Sequence, residues 1–259
     1  MSKVEDILRT NRESGRGTLV GYFPAGYPTV DDSVAALVAM AQNGCDVLEV
    51  GVPYSDPVMD GLVIQKATEE ALQNGFRLKQ TFEVIRKVRE QVDTPMLVMS
   101  YWNPVLRFGV EEFADNLVSS GAQGMITPDL IPDEGSRWLE AASSRNLDHV
   151  FLVAPSSSDE RVKDNSAASQ GFVYSVSTMG ITGERANVDQ LARGVVAKVK
   201  ALGTAPTCVG VGISTADQVR DVNNYADGAI VGTAFVKAYQ SGGLDALTEK
   251  ARELAGGLG

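Results

Sequence analysis

Residues 46–52 read DVLEVGV. The run is apolar at almost every position, which suits a parallel strand covered on both faces rather than one with a wet side. After the opening Asp46, its one ionisable residue is Glu49. Strand alternation puts Val47, Glu49 and Gly51 on one face and Leu48, Val50 and Val52 on the other. Seven more runs have the same character: TLVGYF (18–23), PMLVMS (95–100), QGMIT (123–127), HVFLVA (149–154), FVYSVS (172–177), TCVGV (207–211) and GAIVG (228–232). Helical patterns lie between them. VDDSVAALVAMAQ, from Val30, follows Thr29, a residue suited to an N-cap. LKQTFEVIRKVREQ (78–91) carries Phe82, Ile85 and Val88 at helical spacing, while VEEFADNLVSS (110–120) and VDQLARGVVAKVKAL (188–202) run into Gly121 and Gly203 as C-caps. Eight β–α alternations without a linker or composition shift predict a single (β/α)8 TIM barrel over residues 1–259. Residues 2–14 read as an extra amphipathic N-terminal helix that plugs the barrel floor.

Composition narrows the function classes. The 259 residues match the ~250 typical of such barrels. A net charge of −10 argues against binding nucleic acid or an anionic membrane, and any anionic substrate must be attracted locally. No apolar stretch is long enough to span a bilayer, and MSKVEDILRTNRESG lacks the apolar core of a signal peptide. The two cysteines, Cys45 and Cys208, sit in apolar runs without metal-type spacing, which suits buried thiols in a reducing cytoplasm and no metal site.

In a barrel of this kind the loops after the strand C-termini carry function, and the opposite end carries stability. After strand two comes LEVGVPYSDPVMDG (48–61). Pro53 and Pro57 stiffen the loop, and Asp56 and Asp60 supply carboxylates. An acid held there opposite the inward-facing Glu49 makes a plausible acid–base pair, because burial of Glu49 raises its pKa. After strands seven and eight come GVGIST (210–215) and GAIVGTAF (228–235). Gly212, Gly232 and Thr233 leave backbone N–H groups open to an anion at the usual phosphate position of this fold. Thr215 stands where a dinucleotide fingerprint would need its third glycine. The polar segment STMGITGERAN (177–187) suits a lid. The one histidine, His149, falls at the floor end of strand five, so histidine-based chemistry is not expected. Tyr174 alternates inward with Phe172 and Val176, and a catalytic carboxylate is one candidate partner for its hydroxyl.

Taken in order, LEVGVPYSDPVMDG with Ile64 and Gln65, GYFPAGYP (21–28), YWNPVLRFG (101–109), TPDLIPDE (127–134), VSTMGITG (176–183) and VGTAFVK (231–237) resemble the tryptophan synthase α-subunit family, from about Leu19 to about Gly243. The resemblance implies aldol-type cleavage of indole-3-glycerol phosphate to indole and glyceraldehyde 3-phosphate. It implies Glu49 as proton shuttle, Asp60 facing the indole nitrogen and Tyr174 as the active-site tyrosine. Tyr22 and Ile64 would contact the substrate, with Thr182, Gly183, Gly212, Gly232 and Thr233 around its phosphate. It also implies no cofactor in this chain, and a partner β subunit that holds pyridoxal phosphate in an αββα complex. Asp56, Pro57, Asn103 and Pro104 would lie near that partner. Met59 and Leu62 stand where the family commonly has Ala and Pro, next to Asp60. Two other readings share the barrel: a stand-alone lyase or isomerase on a sugar phosphate, and a regulatory subunit without catalysis. A buried acid pair speaks against the latter.

Overall fold

The eight apolar runs form eight strands, in chain order β1 (Leu19–Pro24), β2 (Val47–Gly51), β3 (Met96–Met99), β4 (Gly124–Thr127), β5 (Asp148–Val153), β6 (Val173–Val176), β7 (Thr207–Gly210) and β8 (Gly228–Val231). The computed structural model describes residues 2–176, 185–210 and 212–259. Each strand pairs in parallel with the next and β8 returns to β1, which closes the barrel. The helices are α1 (Lys3–Glu13), α2 (Val30–Gln42), α3 (Leu62–Gln73), α4 (Lys79–Arg89), α5 (Trp102–Phe108), α6 (Val110–Ser120), α7 (Ser136–Ser143), α8 (Asp159–Ala168), α9 (Arg185–Leu202), α10 (Ala216–Asn223) and α11 (Thr233–Ala255). The Thr29 side chain accepts the Asp32 N–H as an N-cap, and Gly121 ends α6 in the left-handed region at φ 89°. Helix α11, which opens at Thr233, continues past a kink at Gly242 and Gly243.

Alternation sorts each strand between two cores. Leu48 and Val50 face outward into the large core between strands and helices. Val47 faces inward with Val20, Leu97, Ile126, Val150, Phe172, Cys208 and Ile230. Val4 and Leu8 of α1 join that inner cluster, so α1 does plug the barrel. The rest of the floor is fixed by ion pairs that double as backbone caps. Asp46 pairs with Arg16 at 2.7 Å and accepts the Leu19 N–H at 3.0 Å. Asp227 pairs with Arg12 at 2.6 Å and accepts the Thr207 N–H at 2.9 Å. His149 is buried against the Leu147 carbonyl at 3.2 Å, and burial lowers its pKa, in line with a structural role.

Because Leu8 is fully enclosed in the inner cluster, Leu8→Ala is expected to cost roughly 2–5 kcal/mol in urea unfolding. A cost below about 1 kcal/mol would mean that α1 is not part of the barrel core.

Candidate active site

Glu49 sits on β2 in register with Tyr22 of β1 and Leu97 of β3, pointing into the barrel. It is 1% exposed, and neither carboxylate oxygen has a hydrogen-bond partner among the described residues. Removal from water disfavours the charged form, and the nearby Asp60 charge adds to that. Together they push the Glu49 pKa up to about 8.

Asp60 is brought over the barrel mouth by the loop between β2 and α3. The loop is tied at several points. The Asp60 N–H donates to the Pro57 carbonyl at 3.1 Å, and the Gln65 amide donates to the carbonyls of Asp60 at 2.8 Å and Pro57 at 3.3 Å. The Met59 N–H donates to the Tyr101 hydroxyl at 2.9 Å. Leu62 is the first residue of α3, where a proline would be pre-set for the helix, and its side chain is exposed. In the absence of that proline, hydrogen bonds from Gln65 and to Tyr101 hold the loop. Burial raises the Asp60 pKa to about 6, with a hydrogen bond from Tyr101 pulling the other way.

The glycines make room and supply donors. Gly232 caps α11 without a side-chain bond, which leaves the first N–H groups of that helix free for an anion. The neighbouring α10 is not available in this way. Thr215 caps it, and the Gln218 side chain accepts the Ser214 N–H at 2.7 Å. Gly212 adopts φ 68° beside open space. A Cβ on Gly51 would strike the Tyr22 hydroxyl, and one on Gly210 would come within 2.7 Å of the Tyr174 hydroxyl. These two glycines let the aromatic rings lie across the barrel mouth. Of the candidate carboxylate partners for the Tyr174 hydroxyl, Glu49 makes no bond to it, since its oxygens have no partner among the described residues.

One cavity of about 210 Å3 gathers Tyr22, Glu49, Asp60, Ile64, Tyr174, Gly212, Gly232 and Thr233. The positions read as catalytic and substrate-binding therefore converge, apart from Thr182 and Gly183, which lie outside the described residues. Met59, Gly61, Met99, Val176, Gly210, Ile213 and Ile230 also line it and were not read from the sequence as site residues. Most are apolar and carry no chemical mark, but Gly61, Gly210 and Ile213 adjoin motifs already recognised. A cleft of about 340 Å3 at the floor, bordered by Arg9, Arg12, Lys200 and Asp227, is larger. Size favours it, yet it lies at the stabilising end of the barrel and lacks an acid pair facing a bare helix N-terminus. Asp56, Pro57, Asn103 and Pro104 all reach the surface beside the rim. Asn103 joins the two segments by donating to the Tyr54 hydroxyl at 3.0 Å. An open groove of about 430 Å3 runs between them, lined by Pro53, Tyr54, Asn103 and Pro104, and the apolar Val58 and Leu62 stand exposed close by.

Fold and site together define a closed β/α barrel whose mouth holds two carboxylates of raised pKa beside an uncapped helix N-terminus. A family model described as tryptophan synthase alpha chain matches residues 8–256, and the chain belongs to that family. It is 54% identical over 257 residues to the tryptophan synthase alpha chain of Leifsonia xyli subsp. xyli, covering 99% of this chain and 98% of that one. Identity to the Mycobacterium intracellulare alpha chain is 48%, covering 99% and 94%. Tryptophan synthase from M. tuberculosis in its aminoacrylate-bound form superposes with a TM-score of 0.93 at 44% identity, covering all of both chains. The chain is thus a carbon–carbon lyase of tryptophan biosynthesis, cleaving indole-3-glycerol phosphate to indole and glyceraldehyde 3-phosphate alongside a β subunit. No described helix is long and apolar enough to cross a membrane.

The raised Glu49 pKa has a signed consequence for stability. Between its unfolded value near 4.5 and the folded value of about 8, the folded state holds a proton that the unfolded state has lost. Stability is therefore lost as pH rises through that window. Glu49→Gln removes this liability. Its melting temperature is expected to exceed that of the parent by several degrees at pH 8 and by little at pH 5. An equal difference at both pH values would contradict the assigned protonation.

Proposed function

We propose that Glu49 and Asp60 divide the lyase reaction between a mobile proton and a fixed charge. The observation that carries this reading is that two carboxylates line one cavity in unlike environments: Glu49 is buried without a hydrogen-bond partner among the described residues and is pushed up to about 8, while Asp60, nearer the rim, is raised only to about 6. Both line one cavity with Gly232 and Thr233 at the start of α11. The substrate phosphate binds the open N–H groups there, and Gly212 lets it approach. Tyr22 and Ile64 flank the indole ring, and Tyr174 closes the cavity over the reacting carbon. Thr182 and Gly183 complete the phosphate side.

The steps follow. The protonated Glu49 delivers its proton to indole C3, which leaves positive charge at the ring nitrogen. The Asp60 carboxylate stabilises that charge in a site shielded from water. Glu49, now a carboxylate, takes the proton of the carbinol hydroxyl. The C3–carbinol bond breaks, its electron pair returns to the ring, and indole and the aldehyde separate with Glu49 protonated again. Each transfer uses a side chain of this chain, which acts as one catalytic domain over residues 1–259. The pyridoxal phosphate of tryptophan formation belongs to the β subunit, in an αββα assembly of the cytoplasm. The surface of Asp56, Pro57, Asn103 and Pro104 meets that partner. The exposed apolar Val58 and Leu62 at the rim favour this docked form over a stand-alone lyase.

The test is indole release from indole-3-glycerol phosphate with and without a cognate β subunit. Release is expected, and faster with the partner. Equal rates in both arms would favour the stand-alone reading, and no release in either would sink the assignment. Glu49→Gln is expected to lower kcat by at least about a thousandfold with substrate binding kept, as measured in single turnover. Gly232→Asp is expected to weaken substrate binding at least about tenfold by setting a negative charge against the phosphate. An unchanged dissociation constant would contradict the proposed cradle.

A further inference from the structure

Asp60 hangs from a loop whose anchor belongs to another strand. Tyr101 lies between β3 and α5 and is 5% exposed. Its hydroxyl accepts the N–H of Met59, the residue before Asp60, across 42 positions of sequence. Its ring packs on Tyr54 with centroids 5.3 Å apart and planes tilted by 34°. Tyr54 in turn accepts the Asn103 amide at 3.0 Å. A continuous chain of contacts therefore runs from the exposed start of α5, through two tyrosine rings, to the peptide that carries the Asp60 side chain.

We propose that Tyr101 is a positioning residue of the cleavage reaction: its hydroxyl fixes the Met59 peptide so that the Asp60 carboxylate meets the indole nitrogen, and its ring ties that placement to the Asn103 face. The proposal rests on the role given to Asp60 above. A fixed charge stabilises a transition state only if it is already aimed, and a displacement near 1 Å is enough to lose about a hundredfold in rate. The loop's remaining ties, through Gln65, hold the carbonyls of Pro57 and Asp60 and leave the Met59 N–H to Tyr101 alone. Packing by itself would not require a hydroxyl at that spot, since phenylalanine fills the same volume. The titratable groups facing Asp60 are Glu49 from β2, Tyr22 from β1, Tyr174 from β6 and Tyr101 itself. Of the groups acting on Asp60, Tyr101 is the one that favours the ionised form.

Tyr101→Phe keeps the ring and its packing on Tyr54 and removes only the hydroxyl. In the complex with the β subunit, cleavage of indole-3-glycerol phosphate is expected to lose about 10- to 100-fold in kcat, with KM within about twofold of the parent. The acid limb of kcat against pH is expected to move to higher pH, because Asp60 loses the neighbour that favours its charge. The melting temperature reports that the fold is kept. An unchanged kcat with an unmoved acid limb overturns the proposal, and so does a loss shared by kcat and KM with the limb unmoved. Asp60→Asn measured in parallel separates the two levels. If that variant turns over like the parent, both the Asp60 role and the Tyr101 role fail. If it is inactive while Tyr101→Phe behaves as the parent, only the Tyr101 proposal falls.

Discussion

The Glu49 carboxylate is surrounded by the inward side chains of the barrel, and among the described residues nothing donates a hydrogen bond to either oxygen. Water would solvate that charge and the barrel interior does not, so the proton stays on at neutral pH. Most of the site depends on this one desolvation. In the proposed mechanism the substrate receives a proton at C3 because Glu49 has kept it, and Glu49 acts as base in the next step because its proton has just left. Asp60 lies nearer the rim with Tyr101 beside it, and burial raises its pKa only to about 6, so it stays largely charged at the same pH. The same carboxyl group in two environments thus yields an acid and an anion.

A raised pKa does not by itself mark a catalytic group in this molecule. Asp148 is also buried with both oxygens unpartnered among the described residues, and burial lifts it to about 7. It lies at the N-terminal start of β5, near Ser2 and Glu5 of the plugging segment, with no route to the phosphate cradle. Position separates the two acids. The floor is built for stability, through the α1 plug and the Asp46 and Asp227 ion pairs. The rim is built with glycines, open N–H groups and polar loops. The larger cleft at the floor likewise has volume without chemistry.

Much of this was legible in the sequence. All eight strands fall within the apolar runs or overlap them closely, since a parallel strand buried on both faces leaves an uninterrupted apolar trace. Alternation alone turned Glu49 inward. Helices α3, α5, α7 and α8 were not read. Gly61 gives α3 no capping side chain, and α5 is seven residues long with Pro104 in its first turn, where the missing N–H costs nothing but the residue reads as a turn. Side-chain partners across the fold were the least legible. Tyr101 meets Met59 through a contact that no local pattern records, and Glu49, one candidate partner for the Tyr174 hydroxyl, makes no bond to it.

The protonation of Glu49 at neutral pH is the claim on which the mechanism turns. It can be read directly by a pH titration of the Glu49 carboxyl group, using isotope-edited infrared or carbon NMR on the folded chain with Glu49→Gln as the blank. The account predicts a carboxylic acid signal that persists at pH 7 and disappears with a midpoint near 8. A midpoint in the ordinary range near 4.5 would contradict it, because Glu49 would then have no proton to give.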